Sequence, residues 1–205
     1  MDRLLRIVPP TAKGKSEDPR AADAALVVGL RAMERWAMPA LVERHGAHVR
    51  RMLMRVLDAR DAESADLFQE VMVRAWEGID DLHDPGALKP WLTQIAIFTA
   101  RGVIRRRRRQ RWLSFFDTLP EPKVVWAGPD LQEAAGCVYR IFERMPVDER
   151  IPFALRMLEG MDLDATAAAC SMSVATVRRR LVKAERRFFK MARQYDALQP
   201  WLDVR

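Results

Sequence analysis

Asp66-Leu-Phe-Gln-Glu-Val-Met-Val-Arg-Ala-Trp76, then Trp91-Leu-Thr-Gln-Ile-Ala96 and the run Arg105-Arg-Arg-Arg-Arg109, is the stretch that decides the fold. In its first part Leu67, Phe68, Val71, Met72, Ala75, Trp76 and Ile79 recur every three or four residues. That spacing predicts a helix with one broad stripe directed at a core. Asp66, Gln69, Glu70, Arg74 and Glu77 share the opposite face, and Ser64 or Glu63 is expected to cap the start. A loop over Asp80–Lys89, holding His83, Pro85 and Gly86, leads into a second helix from about Ala87 to Arg109, with Trp112 as its outer limit. Pro90 fits only in the first turn of that helix, where its missing N–H costs nothing.

Working outward, residues 1–20 carry Pro9, Pro10, Gly14 and Pro19 among mixed charges and read as a flexible tail. Helical periodicity begins near Ala21 and runs to Trp36. Pro39 marks a break or the first turn of the next helix. A further helix over Leu41–Leu57 places Leu41, His45, Val49, Leu53 and Val56 or Leu57 near one stripe, and Asp58–Asp61 reads as a turn. Residues 21–112 therefore form one helical domain. Pro120, Pro122, Gly128 and Pro129 interrupt all periodicity and make 113–130 a linker. From Trp112 to Asp130 it can extend about 60 Å at roughly 3.3 Å per residue.

A second helical domain is expected over 131–195, with segments near 131–144, 147–159, 163–169 and 173–194, and a tail over 196–205. Pro152 predicts a kink or a late start in the second segment, and Gly160 ends it as a C-cap. Leu163–Ala169 is short and rich in alanine. Cys170-Ser-Met172 is a tight turn, and Ser173 is a good N-cap whose oxygen can accept from the Thr176 amide. Val174, Val177, Leu181 and Ala184 face the core. Thr176, Arg178, Arg179, Arg180 and Lys183 are left for the outer faces. A short helix, a three-residue turn and a capped basic helix make a helix-turn-helix, which presents the first half of its second helix to the major groove. Arginine there pairs with guanine edges or clamps phosphates. No strand-like alternation occurs, so the fold class is all-α.

Lys and Arg number 35 against 28 Asp and Glu, a formal net charge of +7. The charge is segregated. Acidic residues dominate between Glu63 and Asp84, whereas 101–111 and 178–193 are strongly basic, which implies two kinds of partner. Cys137 and Cys170 lie far apart without metal-ligand spacing and read as buried or half-buried thiols. His45, His48 and His83 read as surface or satisfied groups. With no signal-peptide pattern and no apolar run approaching ~20 residues, a soluble cytoplasmic protein is expected. No Gly-rich phosphate loop, paired carboxylates in a plausible cleft or Ser/His/Asp arrangement is present, so neither enzymatic activity, nor a cofactor, nor a metal site is expected.

The two halves, in this order, resemble the sigma-70 family, in particular the small extracytoplasmic-function (ECF, group 4) RNA polymerase sigma factors. The resemblance spans about 36–111 (region 2) and 133–190 (region 4). It rests on Asp66-Leu-Phe-Gln69-Glu70 with Arg74-Ala-Trp76, on Pro90-Trp91-Leu92-Thr-Gln-Ile95-Ala96, on Met145-Pro146 with Glu149-Arg150 and Gly160, and on Ser173-Val-Ala-Thr-Val-Arg178. It implies that Asp66, Gln69, Glu70 and Arg74 meet core RNA polymerase, with the clamp helices and flap as docking points. It implies that His83, Lys89, Trp91, Arg101, Arg105, Arg106, Arg108 and Arg109 serve the −10 element, and that Ser173, Thr176, Arg178, Arg179, Arg180 and Lys183 serve the −35 element. Promoter DNA is then a partner, and an anti-sigma factor is a further one the family leads us to expect. The chain departs from the family pattern at Phe98 and Gly102, where Asn and Asp are common, and at Ser171, where the turn usually has Gly. A polymerase-independent helix-turn-helix regulator is the alternative on the residues alone. A second alternative is an interaction protein that binds another regulator through its basic helices.

Overall fold

The structure is a computed structural model describing residues 19–57, 64–113 and 129–202. The tail expected over 1–20 (but for its last two residues), the turn at Asp58–Asp61, the alternative cap Glu63 and nearly all of the linker lie outside the described residues. Among the described residues nine α-helices follow one another: α1 (Pro19–Arg31), α2 (Ala37–Val56), α3 (Ser64–Glu77), α4 (Leu88–Leu113), α5 (Pro129–Arg144), α6 (Val147–Met157), α7 (Leu163–Cys170), α8 (Val174–Ala192) and α9 (Gln199–Leu202). Short 3-10 turns at Ile79–Asp81, Pro85–Ala87 and Asp196–Leu198 join some of them. No strand occurs among the described residues, and none of their helices is long and apolar enough to cross a membrane.

The N-terminal half packs α4 against α2 and α3, with α1 laid over α2 and the 79–87 loop. The stripe expected on α2 is buried throughout: Leu41, His45, Val49, Leu53, Val56 and Leu57, with Met52 beside them. The C-terminal half surrounds Phe142, whose ring meets Phe153 at 6.0 Å and Phe188 at 6.2 Å between centroids. Edge-on aromatic contacts of this kind add to simple burial.

The halves are packed on one another, and the contact is polar as well as apolar. Arg150 of α6, 3 % exposed, donates from Nε to the Val56 carbonyl at 2.8 Å and from Nη2 to the Leu57 carbonyl. Those carbonyls end α2, where a helix leaves acceptors unsatisfied and carries negative partial charge. Glu159 answers from the other side, accepting from Arg55 Nε at 2.9 Å and Arg51 Nε at 3.2 Å. The Tyr139 hydroxyl donates to the Met54 carbonyl at 3.2 Å. Alanines let α7 approach α4 closely, and Gln94 Nε2 reaches the Ala168 carbonyl at 3.0 Å.

Several expectations are corrected. The first helix stops at Arg31 rather than Trp36, because Met33 turns into the left-handed region at φ 53° and Trp36 folds back over Gly29. Ser64 is the first helical residue of α3, not its cap. α6 starts at Val147 and runs through Pro152, so there is no late start; Pro146 precedes it, and the helix forgoes the one bond that Pro152 cannot donate. The C-terminal tail is folded from Asp196 to Leu202, with Leu198 buried. Gly160 does have the positive φ, 67°, that its role after α6 requires.

Glu159→Ala would leave Arg55, whose side chain is 11 % exposed, without its carboxylate. Stranding one partner of a buried pair costs about 3 kcal/mol. Urea denaturation should register that loss; an unchanged midpoint would refute the role of this pair.

His48 supplies a pH dependence. The Thr93 hydroxyl donates to the Lys89 carbonyl, so His48 Nε2–H must donate to Thr93 Oγ1 (2.8 Å), and Nδ1 accepts from Arg51 Nη2 (3.3 Å). Only the neutral ring fits that pattern. Burial, then Lys89, Arg51 and His45, push its pKa down from 6.5 to about 4. The unfolded chain therefore takes up a proton that the folded chain refuses. Stability from this group is fully present above pH 6.5 and falls as the pH drops toward 4. His48→Gln should flatten that part of the stability–pH curve, measured by denaturant titration across the window.

Candidate nucleic-acid and protein interfaces

Three surfaces carry the residues singled out in the sequence. On α3, Asp66, Gln69, Glu70 and Arg74 are all exposed. Arg74 binds Glu70 one turn away, at 2.7 Å from Nη2 and 3.0 Å from Nε. An exposed i, i+4 pair contributes only about 0.3–0.5 kcal/mol, so it orders these side chains more than it stabilises the helix. Beside this polar edge lies an apolar groove of about 450 Å³ lined by Met38, Val42, Phe68, Met72, Val73 and Trp76. Trp76, expected in the core, is instead 41 % exposed on the groove wall, and Val73 is 48 % exposed. The α3 stripe is broader than one core can cover, and its edge is left at the surface.

The second surface is the 79–87 loop with α4. Asp84 caps the turn at Pro85–Ala87, accepting from the Gly86 amide at 2.8 Å, while buried Leu82 and Leu88 anchor both ends. His83 is exposed and its Nδ1–H donates to the Asp81 carbonyl at 2.7 Å. Lys89 is exposed, and Trp91 is half-buried against Gly78. Arg31 of α1 holds the loop from behind: Nη2 donates to the Leu82 carbonyl at 2.5 Å, with Asp80 at 3.8 Å from Nε. That support was not found in the sequence, although a basic residue ending a helix was its only possible signal. Arg105, Arg106 and Arg109 are exposed on the distal half of α4; the side chain of Arg108 lies outside the described residues. Arg101 departs from expectation. It is half-buried, and its Nη2 donates to the Cys170 carbonyl at 3.1 Å, so in this arrangement it grips the helix-turn-helix turn.

The third surface is α8. Ser173 caps it, accepting from the Thr176 amide at 3.2 Å while its hydroxyl donates to Thr176 Oγ1 at 2.9 Å. Val177 and Ala184 are fully buried, Val174 and Leu181 half-buried. Arg178, Arg179 and Lys183 are exposed in the first half of the helix, and Arg186, Arg187 and Lys190 continue the basic face. Arg180 is a correction: it turns back toward Asp148 of α6, 3.8 Å away, and its Nε is buried. The position three residues beyond Val177 is too close to the core face to project freely. Cys137 and Cys170 are buried free thiols, and burial pushes Cys170 up to about 11, which leaves it unreactive.

Two family models match in the same order as these surfaces: Sigma-70 region 2 over residues 41–112, and Sigma-70 region 4 over 135–188. The chain belongs to the sigma-70 family. It is a sigma factor of the ECF type, a transcription-initiation factor and not an enzyme. It is 27 % identical over 174 residues to the ECF RNA polymerase sigma-E factor of Escherichia coli strain K12, covering 79 % of this chain and 90 % of that relative. The sigma-E factor of Salmonella typhimurium strain LT2 matches to the same extent, 27 % over 174 residues and the same shares of each chain. Among solved structures the fold is similar to CnrH in complex with the cytosolic domain of CnrY, with TM-score 0.60 and 21 % identity over 84 % of this chain and 98 % of that one. It is also similar to the sigma factor RpoE in complex with the anti-sigma factor NepR from Bartonella quintana, with TM-score 0.57 and 21 % identity over 74 % and 94 %.

Within region 4 of this sigma factor the turn holds a specific local strain. Ser171 sits at φ 52°, ψ 47°, and the Met172 amide donates to the Ala167 carbonyl at 2.9 Å. A left-handed residue with a Cβ costs roughly 1–2 kcal/mol, part of which Gly returns as entropy of the unfolded chain. Ser171→Gly should raise stability by about 0.5–1 kcal/mol. Thermal denaturation would check this, and a lowered midpoint would contradict the strain.

Proposed function

We propose that this sigma factor binds core RNA polymerase through the exposed edge of α3 and reads two separated promoter elements through its two basic helices. Asp66, Gln69, Glu70 and Arg74 make the polar contacts, with the adjacent apolar groove as their floor. α8 enters the major groove of an upstream duplex box, the −35 element, with Arg178, Arg179 and Lys183 at base edges and phosphates. Ser173 and Thr176 fix the start of the helix and offer hydroxyls to the backbone. The loop over 79–87 and the start of α4, including His83, Lys89 and Trp91, take the −10 element. There they help to open it, with Arg105, Arg106 and Arg109 as phosphate clamps and Arg101 joining them once it leaves the Cys170 carbonyl. An unpaired base costs a few kcal/mol to extrude, which such contacts must offset. The observation that carries the reading is the geometry of α8: one face locked in the core, a capped start, and an arginine-rich face left to solvent. An anti-sigma protein is a fitting partner, since one structural neighbour is described in complex with an anti-sigma factor. The compartment is the cytoplasm, where the polymerase is.

Transcription in vitro with purified core polymerase, this chain and a promoter library tests the reading. Start sites should appear only when the chain is added. Glu70→Lys should weaken core binding. Arg178→Ala and Arg179→Ala should leave core binding intact, weaken promoter binding, and each lower the salt slope by about one where the arginine meets a phosphate. Initiation from no promoter would overturn the proposal. Sequence-specific duplex binding by the chain alone, without polymerase, would replace it with a stand-alone regulator.

A further inference from the structure

The segment that matches region 4 ends at residue 188, yet the fold continues past it. After α8 the chain turns at Tyr195, makes the 3-10 turn at Asp196–Leu198 and closes with α9, seated on α5 and the end of α8. We propose that the groove between α5 and α8 is a helix-binding site, that residues 195–202 are its internal occupant, and that an apolar helical segment of core RNA polymerase displaces them. The inference rests on the reading that this chain binds core polymerase, and it gives that binding a built-in competitor.

Tyr195, Leu198 and Leu202 stand at i, i+3 and i+7, and all three pack against the core. That is the anchor pattern of an amphipathic helix laid in an apolar groove. Asp196 and Pro200 are left to solvent. The segment therefore has the form of a ligand, although it belongs to the chain. It is also weakly held. A turn of three residues and a helix of four are too short to be helical without support, so tertiary contact keeps them in place. Leu198, 4 % exposed, is the firmest anchor, and Tyr195 and Leu202 are only half-buried. The side-chain bond from Gln199 Nε2 to the Arg193 carbonyl, 3.0 Å, is exposed and ties the segment only to the end of its own helix. Against these contacts stands the entropy of ordering a chain end, which makes such segments the first to open. Beneath the segment the closure is imperfect. The Arg140 guanidinium of α5 lies over the Tyr195 ring, 5.4 Å from its centroid, and its Nη2 meets the Cys137 sulfur at 2.9 Å. Its Nε is buried with no hydrogen-bond partner among the described residues. A buried donor left unmade costs free energy that an oxygen acceptor recovers. A helix that brings the same apolar spacing and a carboxylate at the place of the Tyr195 ring outcompetes the tail. That defines the chemistry of the displacing segment.

The test titrates the full chain, fluorescently labelled, with purified core polymerase. Leu198→Asp puts a charge where only an apolar anchor fits and should release the tail. Polymerase affinity should then rise about fivefold or more, because the fraction of chain with an open groove no longer limits it. Tyr195→Ala should shift it the same way by less. Circular dichroism checks that the helices persist; were Leu198→Asp to lose them, Tyr195→Ala carries the same test. A synthetic peptide of residues 193–205, added in excess, should return the variant to wild-type affinity, which a merely structural tail would not do. Arg140→Gln in the Leu198→Asp chain should lose part of the gain. Unchanged affinity in the folded variants would overturn the proposal. So would a lowered affinity, which would make the tail a structural clasp, and so would a peptide without effect. Wild-type dimers that disappear in Leu198→Asp would assign the groove to the tail of a second copy and overturn it too. A wild type that does not bind core polymerase at all would instead sink the reading on which the competitor depends.

Discussion

A single guanidinium decides how this chain is put together. Arg150 is buried, and its guanidinium donates to the carbonyls of Val56 and Leu57 where α2 ends. A helix C-terminus carries roughly half a negative charge spread over acceptors that need donors. Arg150 supplies the donors and the charge at once. Removing the C-terminal half would expose the end of α2, and removing α2 would strand a buried cation. Glu159 makes the dependence mutual, because it takes two arginines from α2 into the same seam.

The seam also sets the competition among the basic groups. Arg101 has one guanidinium, and here it is committed to the Cys170 carbonyl at the turn before α8. Gln94 is committed to the Ala168 carbonyl near the end of the same helix. A phosphate near α4 would bid for Arg101 with full negative charge against a neutral carbonyl, and a charge-assisted bond is about twice as strong as a neutral one. On the proposed reading, DNA on α4 and the turn of the helix-turn-helix are alternative partners for the same side chain. The exposed face of α8 is not part of that trade. Its arginines 178 and 179 are exposed with the halves packed together.

Local rules made most of the helices readable. The i, i+3, i+4 stripes of α2 and α8, the cap at Ser173 and the position of Pro90 in the first turn of α4 all follow from short-range chemistry, and the helix boundaries fall within a few residues of it. What could not be read depends on which half lies where. The resemblance includes Glu149-Arg150, but no local spacing shows that Arg150 caps a helix 93 residues away. The spacing that leaves Arg178 and Arg179 on the outer face leaves Arg180 there too, and the resemblance gives Arg101 to DNA; only the packed neighbours turn Arg180 and Arg101 inward. Trp76 failed in the opposite direction. Its spacing fits a core stripe, but the stripe is wider than the core it meets, and the surplus became the apolar groove.

The departures from the family pattern have a common physical character. Gly102 gives up about 1 kcal/mol of helix propensity relative to Ala in exchange for no contact at all, since its position opens on empty space. Ser171 holds a left-handed conformation that Gly would hold without strain. Thr99 keeps a buried hydroxyl without a partner. A chain whose stability rests on the Arg150 and Glu159 seam has room for such small costs, but only Gly102 and Thr99 meet at one place, around an exposed ring. Both lie beside the exposed ring of Phe98. Ser171 is separate from them, at a turn whose left-handed residue is held by backbone bonds from the Ser171 and Met172 amides to the end of α7.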